Sequence, residues 1–223
     1  MRRLREAGIS NVVVQRPWSN VVATVGEGLS TVLLAAHHDT KDIPGFLGAN
    51  DGASGVAVVL ELARALRSSG RSLTFVFFDA EEARGNRPFE SDGTRGSRQF
   101  VELAQQGGGQ GSPAIEDIEA MYLLDMVGDC DLQIPREANS DPELYDDLEG
   151  PAFGGETASI LDDHIPFVEA GIPAVDVIDF TFGPGPSPGA YWHTTEDTVD
   201  KVCPESLGQV GRAVIGAIAA SNG

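Results

Sequence analysis

Positive charge is scarce in this sequence. Lysine occurs only at Lys41 and Lys201, and 15 lysine and arginine residues stand against 34 aspartate and glutamate, for a formal net charge of -19 at pH 7. Such a chain repels phosphate backbones and anionic lipid, which excludes nucleic acid and a membrane surface as main partners. The excess acid reads first as a solvated surface that keeps the chain in solution. Cysteine is nearly absent: Cys130 and Cys203 are too few for a disulfide framework and lack a metal-type spacing. Ordinary thiols are expected, with a single bridge as the alternative. No apolar run approaches a membrane span, and the basic opening MRRLREAGIS lacks the apolar stretch of a signal peptide. The expectation is a soluble chain, cytoplasmic as it stands and periplasmic or secreted if a leader was removed. Its oligomeric state is not legible.

What the chain does contain is a succession of short apolar runs: VVATV from Val21, TVLLAA from Thr31, LTFVFF from Leu73, MYLLDMV from Met121 and AVDVIDF from Ala174. Unbroken runs of this length suit strands covered on both faces of a mostly parallel sheet. Between them lie helical patterns, Ala53 to Gly70, GSRQFVELAQQGGG, and SLGQVGRAVIGAIAA with Leu207, Val210, Val214 and Ile218 on one face. These stripes are core. Strand and helix alternate, which predicts an α/β sandwich with helices on both faces. The loops RGNRPFESDGTRGS, QQGGGQGSP and GPGPSPG interrupt this pattern without ending it, so one domain over 1–223 is expected.

In an open parallel sheet ligands bind beyond the carboxyl ends of the strands. His37, His38 and Asp39 follow the second run, Asp51 precedes a helix start in GANDGASG, Glu81 and Glu82 follow the third run, Asp125 lies in YLLDMVG, and His193 follows the last Gly/Pro loop. A single carboxylate at a strand end is commonly a helix cap or a surface charge. Several at one edge, with two histidines and apolar surroundings, call for a cation, because buried charges are paired or bound to metal. Imidazole and carboxylate without thiolate fit zinc or a similar divalent ion in an open, catalytic site. In the pair Glu81 and Glu82, one carboxylate can ligate while its neighbour stays free as a base.

The ordered set HHD, GANDGASG, FFDAEEA, LLDMVG, DDHIPF, GIPAV and WHTTEDT, over about positions 20 to 218, resembles the zinc exopeptidase superfamily, metallopeptidase family 28, which holds aminopeptidases and glutaminyl cyclases. The resemblance implies a three-layer α/β/α sandwich with a central mixed, mostly parallel sheet. It implies that Asp51, Glu82 and His193 hold the metal common to both branches, and that His37 and Asp125, with Asp51 bridging, hold a second zinc in the aminopeptidases. Glu81 becomes the general acid/base, Asp39 the carboxylate that orients His37, and His38 a spacer; Asp163 and His164 become scaffold beside the pocket. One zinc per chain is expected, with two as the alternative.

Two features favour the glutaminyl cyclase branch within the same resemblance. Asp162, first of the doublet in DDHIPF, stands where the aminopeptidases commonly have serine and would act at the substrate together with Asp125. Trp192, directly before His193, would form an aromatic wall for a carboxamide side chain; its alternative is simple core. Against the branch, EEARGNRPF carries Arg87 and Phe89 where cyclases often have a second tryptophan, and the segment between LLDMVG and DDHIPF is short, so pocket walls built there are expected to be missing. The implied activity is zinc-dependent conversion of N-terminal glutamine to pyroglutamate on peptide or protein N-termini, with a di-zinc aminopeptidase as the alternative. A binding domain of the same fold without metal is disfavoured by the complete set of ligand types and by Glu81.

Overall fold

The computed structural model describes residues 1–220, so the last three positions of the expected domain lie outside the described residues. In chain order the elements are α1 (Arg2–Glu6), β1 (Val12–Val14), β2 (Val21–Val25), β3 (Thr31–His37), α2 (Ala53–Leu66), β4 (Leu73–Phe78), α3 (Phe89–Asp92), α4 (Arg95–Gln105), β5 (Ile118–Asp125), α5 (Pro142–Asp146), α6 (Ile165–Glu169), β6 (Ala174–Ile178) and α7 (Pro204–Ala220).

The strands form one sheet in the order β1-β2-β4-β3-β5-β6. β3 pairs parallel with β4 and β5, and β5 with β6, while β1 and β2 close one edge antiparallel. The sheet is therefore mixed and mostly parallel. The apolar runs are unbroken because helices cover both faces, and successive side chains serve opposite cores. Along β3, Leu34 and Ala36 pack with Val59 and Leu62 of α2 and Val210 and Val214 of α7, whereas Leu33 and Ala35 pack with Phe100 of α4 and Phe167 of α6. The stripe on α7 lies as its periodicity predicts, with Val210, Val214 and Ile218 buried. An added Cβ at Gly55 would lie 2.0 Å from the Leu124 carbonyl oxygen, so glycine there lets the first turns of α2 rest on the end of β5.

Several details depart from the sequence reading, among them the short helices α1, α3, α5 and α6, whose four or five residues carry too little periodicity. β1 went unread, since three valines at a sheet edge carry too little periodicity. β5 begins at Ile118 and stops at Asp125, where Met126 takes φ 47°, rather than running through Val127. The expectation of free thiols at Cys130 and Cys203 is also overturned, because the two form a disulfide with Cα atoms 4.9 Å apart. The corner after β5 is held against the start of α7 by Cys203 N–H donating to Gly128 O at 2.9 Å. Neighbourhood in space, across 73 positions of sequence, decides the pairing. Loss of such a bridge typically costs about 2–5 kcal/mol.

Candidate active site

Because β3, β4 and β5 are parallel, their carboxyl ends open on the same edge. His37 is the last residue of β3, Asp125 the last of β5, and Glu81 and Glu82 lie just past β4. The chain leaves this edge through Ala80, Met126 and His193, whose φ values of 59°, 47° and 51° are in the left-handed region. Residues without glycine's freedom seldom adopt it, and such strain gathers at functional sites. Glycine is required beside them at Gly52, with φ 88°, where a Cβ would meet the His37 ring at 2.9 Å. That turn sets Asp51 at the mouth of α2, and Asp197 fixes it by accepting the backbone N–H groups of Asn50 and Asp51 at 2.7 and 3.1 Å.

Asp51 divides its two oxygens between the two histidines. Oδ1 lies 3.3 Å from His37 Nε2 and Oδ2 lies 3.2 Å from His193 Nε2. His37 Nε2 also faces Asp125 Oδ1 at 3.1 Å, and His193 Nε2 faces Glu82 Oε1 at 3.1 Å. Two groups result, His37, Asp51 and Asp125, and Asp51, Glu82 and His193, in each of which the donor atoms lie within 4.8 Å of one another. Each imidazole nitrogen thus converges with oxygens from two different carboxylates in a buried setting. Such a donor set of nitrogen and oxygen fits a divalent cation such as zinc. Burial works to lower the His193 imidazole, but Asp51 and Glu82 outweigh it and hold it up at about 9. The same contacts with His193 and His37 hold the Asp51 carboxyl well below the usual range against the opposing effect of burial. A cation binding here displaces protons from the imidazoles, so its affinity falls with falling pH.

The remaining predicted residues surround these groups. Asp39 sits 3.5 Å from His37 Nδ1, at the limit of a hydrogen bond, and accepts the backbone N–H groups of Glu81 and Glu82 at 3.1 and 3.2 Å. It therefore orients the glutamate pair as much as the imidazole. His38 points away, exposed, with Nε2 3.3 Å from Ser19 O. Glu81 is nearly buried, and desolvation raises its carboxyl well above the usual range, with Asp162, Glu82 and Asp163 adding repulsion and His37 opposing. Asp162 is raised in the same way by burial and by Asp125 and Asp163, and its Oδ2 is buried without a hydrogen-bond partner among the described residues. Trp192 stacks on the His193 ring at 3.8 Å between centroids and meets Phe180 edge-on at 5.3 Å.

Together Lys41, Glu81, Ile160, Asp162, Phe180 and Trp192 enclose a pocket of about 310 Å³ that His193, Asp51 and Glu82 also line. Arg87 and Phe89 reach the same pocket, and the short segment before DDHIPF contributes Ser159, Ile160 and Leu161 to its wall. Asp163 and His164 stand behind it as scaffold, Asp163 accepting the Ser97 hydroxyl and His164 lying between Glu137 and Asp176. Lys41 escaped the sequence reading. Its ammonium lies 3.2 Å from Glu82 Oε2 and donates to Ala83 O at 2.8 Å, and its only signal was the rarity of lysine. Asp197 lay inside a quoted motif without a role, and Glu137 gave no signal at all.

Comparison with known proteins places this arrangement among metallopeptidase relatives. A glutaminyl-peptide cyclotransferase-like protein of Bos taurus is 31% identical over 87% of this chain and 58% of its own length. Aminopeptidase YwaD of Bacillus subtilis is 29% identical over 84% of the chain and 40% of its own length. The chain thus spans about three fifths or less of these two curated relatives. Among solved structures, an Acidobacteriales bacterium glutaminyl cyclase superposes with a TM-score of 0.85 at 31% identity, covering 99% of this chain and 83% of that one. The profile of peptidase family M28 matches residues 20–218, and with the paired His and carboxylate groups standing at the strand ends within that span, the chain belongs to peptidase family M28.

Proposed function

We propose that the protein is a zinc-dependent glutaminyl-peptide cyclotransferase, closing N-terminal glutamine of peptides to pyroglutamate with release of ammonia. The observation that carries this reading is the juxtaposition of two buried carboxyls, Glu81 and Asp162, both raised in pKa, in a pocket of about 310 Å³ walled by Trp192 and Phe180. That volume suits one side chain and an α-amine. Asp51, Glu82 and His193 would hold one zinc, whose chemistry is polarisation of the side-chain carbonyl. The substrate's own α-nitrogen attacks the side-chain amide carbon, a C–N bond forms, and the C–NH₂ bond breaks. Glu81 takes the proton lost by the attacking nitrogen and returns it to the departing one, so the products are a lactam and ammonia. Asp162, with an oxygen free of protein partners, accepts from the reacting nitrogens and keeps them in line with Glu81. Asp125 steadies the other side.

The group His37, Asp51 and Asp125 favours one alternative, a di-zinc aminopeptidase in which Glu81 activates water. Glutaminyl and leucyl arylamides separate the two. The expected outcome is ammonia from the glutaminyl substrate, no arylamine from the leucyl one even with added zinc, and a rate rising from pH 6 to about 8 as the substrate amine, pKa about 7.7–8.0, loses its proton. Arylamine release without pyroglutamate would establish the alternative instead.

Ser159, Ile160 and Phe180 also line a neighbouring groove of about 990 Å³ that carries Asp129, Asp131, Glu156 and Asp179. Residues following the glutamine would lie there, and its charge favours lysine or arginine. In the same assay, peptides with a basic second residue should show a lower KM than acidic ones, the gap closing with added salt. Equal KM values at low salt would remove the groove from substrate selection.

Disulfides persist chiefly in oxidising compartments, so the Cys130–Cys203 bridge supports the periplasmic or secreted alternative. Alkylation in the native cells without reductant should leave both cysteines unlabelled. Label on both would place the protein in a reducing compartment.

A further inference from the structure

Glu137 lies in the loop after β5, outside the pocket, and is 1% exposed. Its carboxylate receives five donors. Oε1 accepts Ile160 N–H at 3.1 Å and Asn139 Nδ2 at 2.8 Å, while Oε2 accepts Asn139 N–H at 2.8 Å, Ser140 Oγ at 3.1 Å and His164 Nε2 at 3.1 Å. An ionised carboxylate has about four lone-pair sites, so this one is saturated. Burial alone would raise it, but His164 and the backbone donors prevail and bring it down to about 2. Being ionised it can only accept, so His164 carries its proton on Nε2, and the other ring nitrogen faces Asp176 Oδ2 at 3.6 Å.

Two of the five donors bracket a functional segment. Ile160 and His164 are the ends of the stretch that carries Leu161, Asp162 and Asp163, and Ile160, Leu161 and Asp162 line the pocket. Asp162 has little hold of its own. Its Oδ1 accepts the N–H of the next residue, Asp163, and its Oδ2 has no hydrogen-bond partner among the described residues. The orientation of Asp162 therefore follows the backbone of 160–164, and one buried carboxylate grips both ends of it.

We infer that Glu137 is a positioning residue for Asp162, acting through the Ile160 amide and the His164 ring to set where that carboxyl stands in the pocket. Glutamine at 137 keeps the shape but turns an NH₂ group either towards Ile160 N–H or towards Asn139 N–H, Ser140 Oγ and His164 Nε2, so the grip on the segment is weakened. A displacement of the order of 1 Å near reacting groups can cost up to about 10²-fold in rate.

The inference rests on the proposed reaction only for the role of Asp162 itself, and a double-mutant cycle in the zinc-loaded, full-length protein tests it. Glu137→Gln is expected to lower kcat by about 10- to 100-fold with KM within about twofold. In the Asp162→Asn background the same substitution should cost nothing further, since coupled residues are non-additive. Equal losses in both backgrounds would mark Glu137 as mere scaffold, and an unchanged kcat in the single variant would also overturn the inference. If Glu137→Gln does not fold, His164→Asn releases one end alone and must show the same non-additivity with Asp162→Asn. The cycle is run on the glutaminyl arylamide if ammonia is released and on the leucyl one if arylamine is, so failure of the cyclase reading leaves the coupling measurable.

Discussion

Glu81→Gln is expected to lower turnover by at least about 10² to 10⁴-fold, the range that general acid/base catalysis supplies, with the fold and the zinc content unchanged. The amide is nearly isosteric with the carboxyl, and the backbone of Glu81 is fixed independently of its side chain by the Asp39 carboxylate, so the substitution has no route to disturb the loop. What it removes is the ability to accept a proton and return it. The environment favours that task. Burial, with Asp162, Glu82 and Asp163 nearby, lifts the Glu81 carboxyl well above its ordinary value, which makes it a stronger base than a solvated carboxylate. Turnover, zinc per chain and thermal midpoint are measured together. Near-normal turnover would remove Glu81 from the chemistry, and loss of zinc with activity would mean that Glu81 and Glu82 have exchanged roles.

His193→Ala should abolish both zinc retention and activity. Even an outer partner of a metal ligand typically costs about 10- to 100-fold in affinity when lost, and His193 is placed to be a ligand itself. Its Nε2 meets Glu82 Oε1 at 3.1 Å and Asp51 Oδ2 at 3.2 Å, and alanine leaves those two carboxylates facing each other without the imidazole between them. Trp192 loses its stacking partner as well, so the pocket wall loosens along with the metal group. Elemental analysis after dialysis against zinc-free buffer reads the occupancy, and circular dichroism checks the fold. Full occupancy with full activity would place the metal elsewhere. His37→Ala in parallel is informative: with one zinc it lowers activity while metal stays near one per chain, whereas with two it removes one equivalent.

Local pattern carried a large part of this protein. Leu73–Phe78 reads as a strand covered on both faces because five of its six residues are apolar and the run is too short for a buried helix, and Val210, Val214 and Ile218 read as one helix face because their spacing matches the helical turn. The donors His37, Asp51, Glu82, Asp125 and His193 were legible for a related reason. In a parallel sheet, the residue that ends a strand is delivered to the same edge as the ends of its neighbours, so five positions far apart in sequence become candidates together. Resemblance to a known family then gave each a role to test.

Tertiary structure alone decided the rest, because it depends on which loops meet. Cys130 and Cys203 pair because the corner after β5 abuts the start of α7, which no spacing encodes. Lys41 finds Glu82, and Glu137 finds both Ile160 and His164, only once loops from different strand ends are folded over the same edge. Asp162 illustrates the division. Its presence in DDHIPF was plain from the chain, but the isolation of its Oδ2, the raised pKa and the dependence of its position on a carboxylate 25 residues earlier follow from burial and packing, which a sequence specifies only through the whole fold.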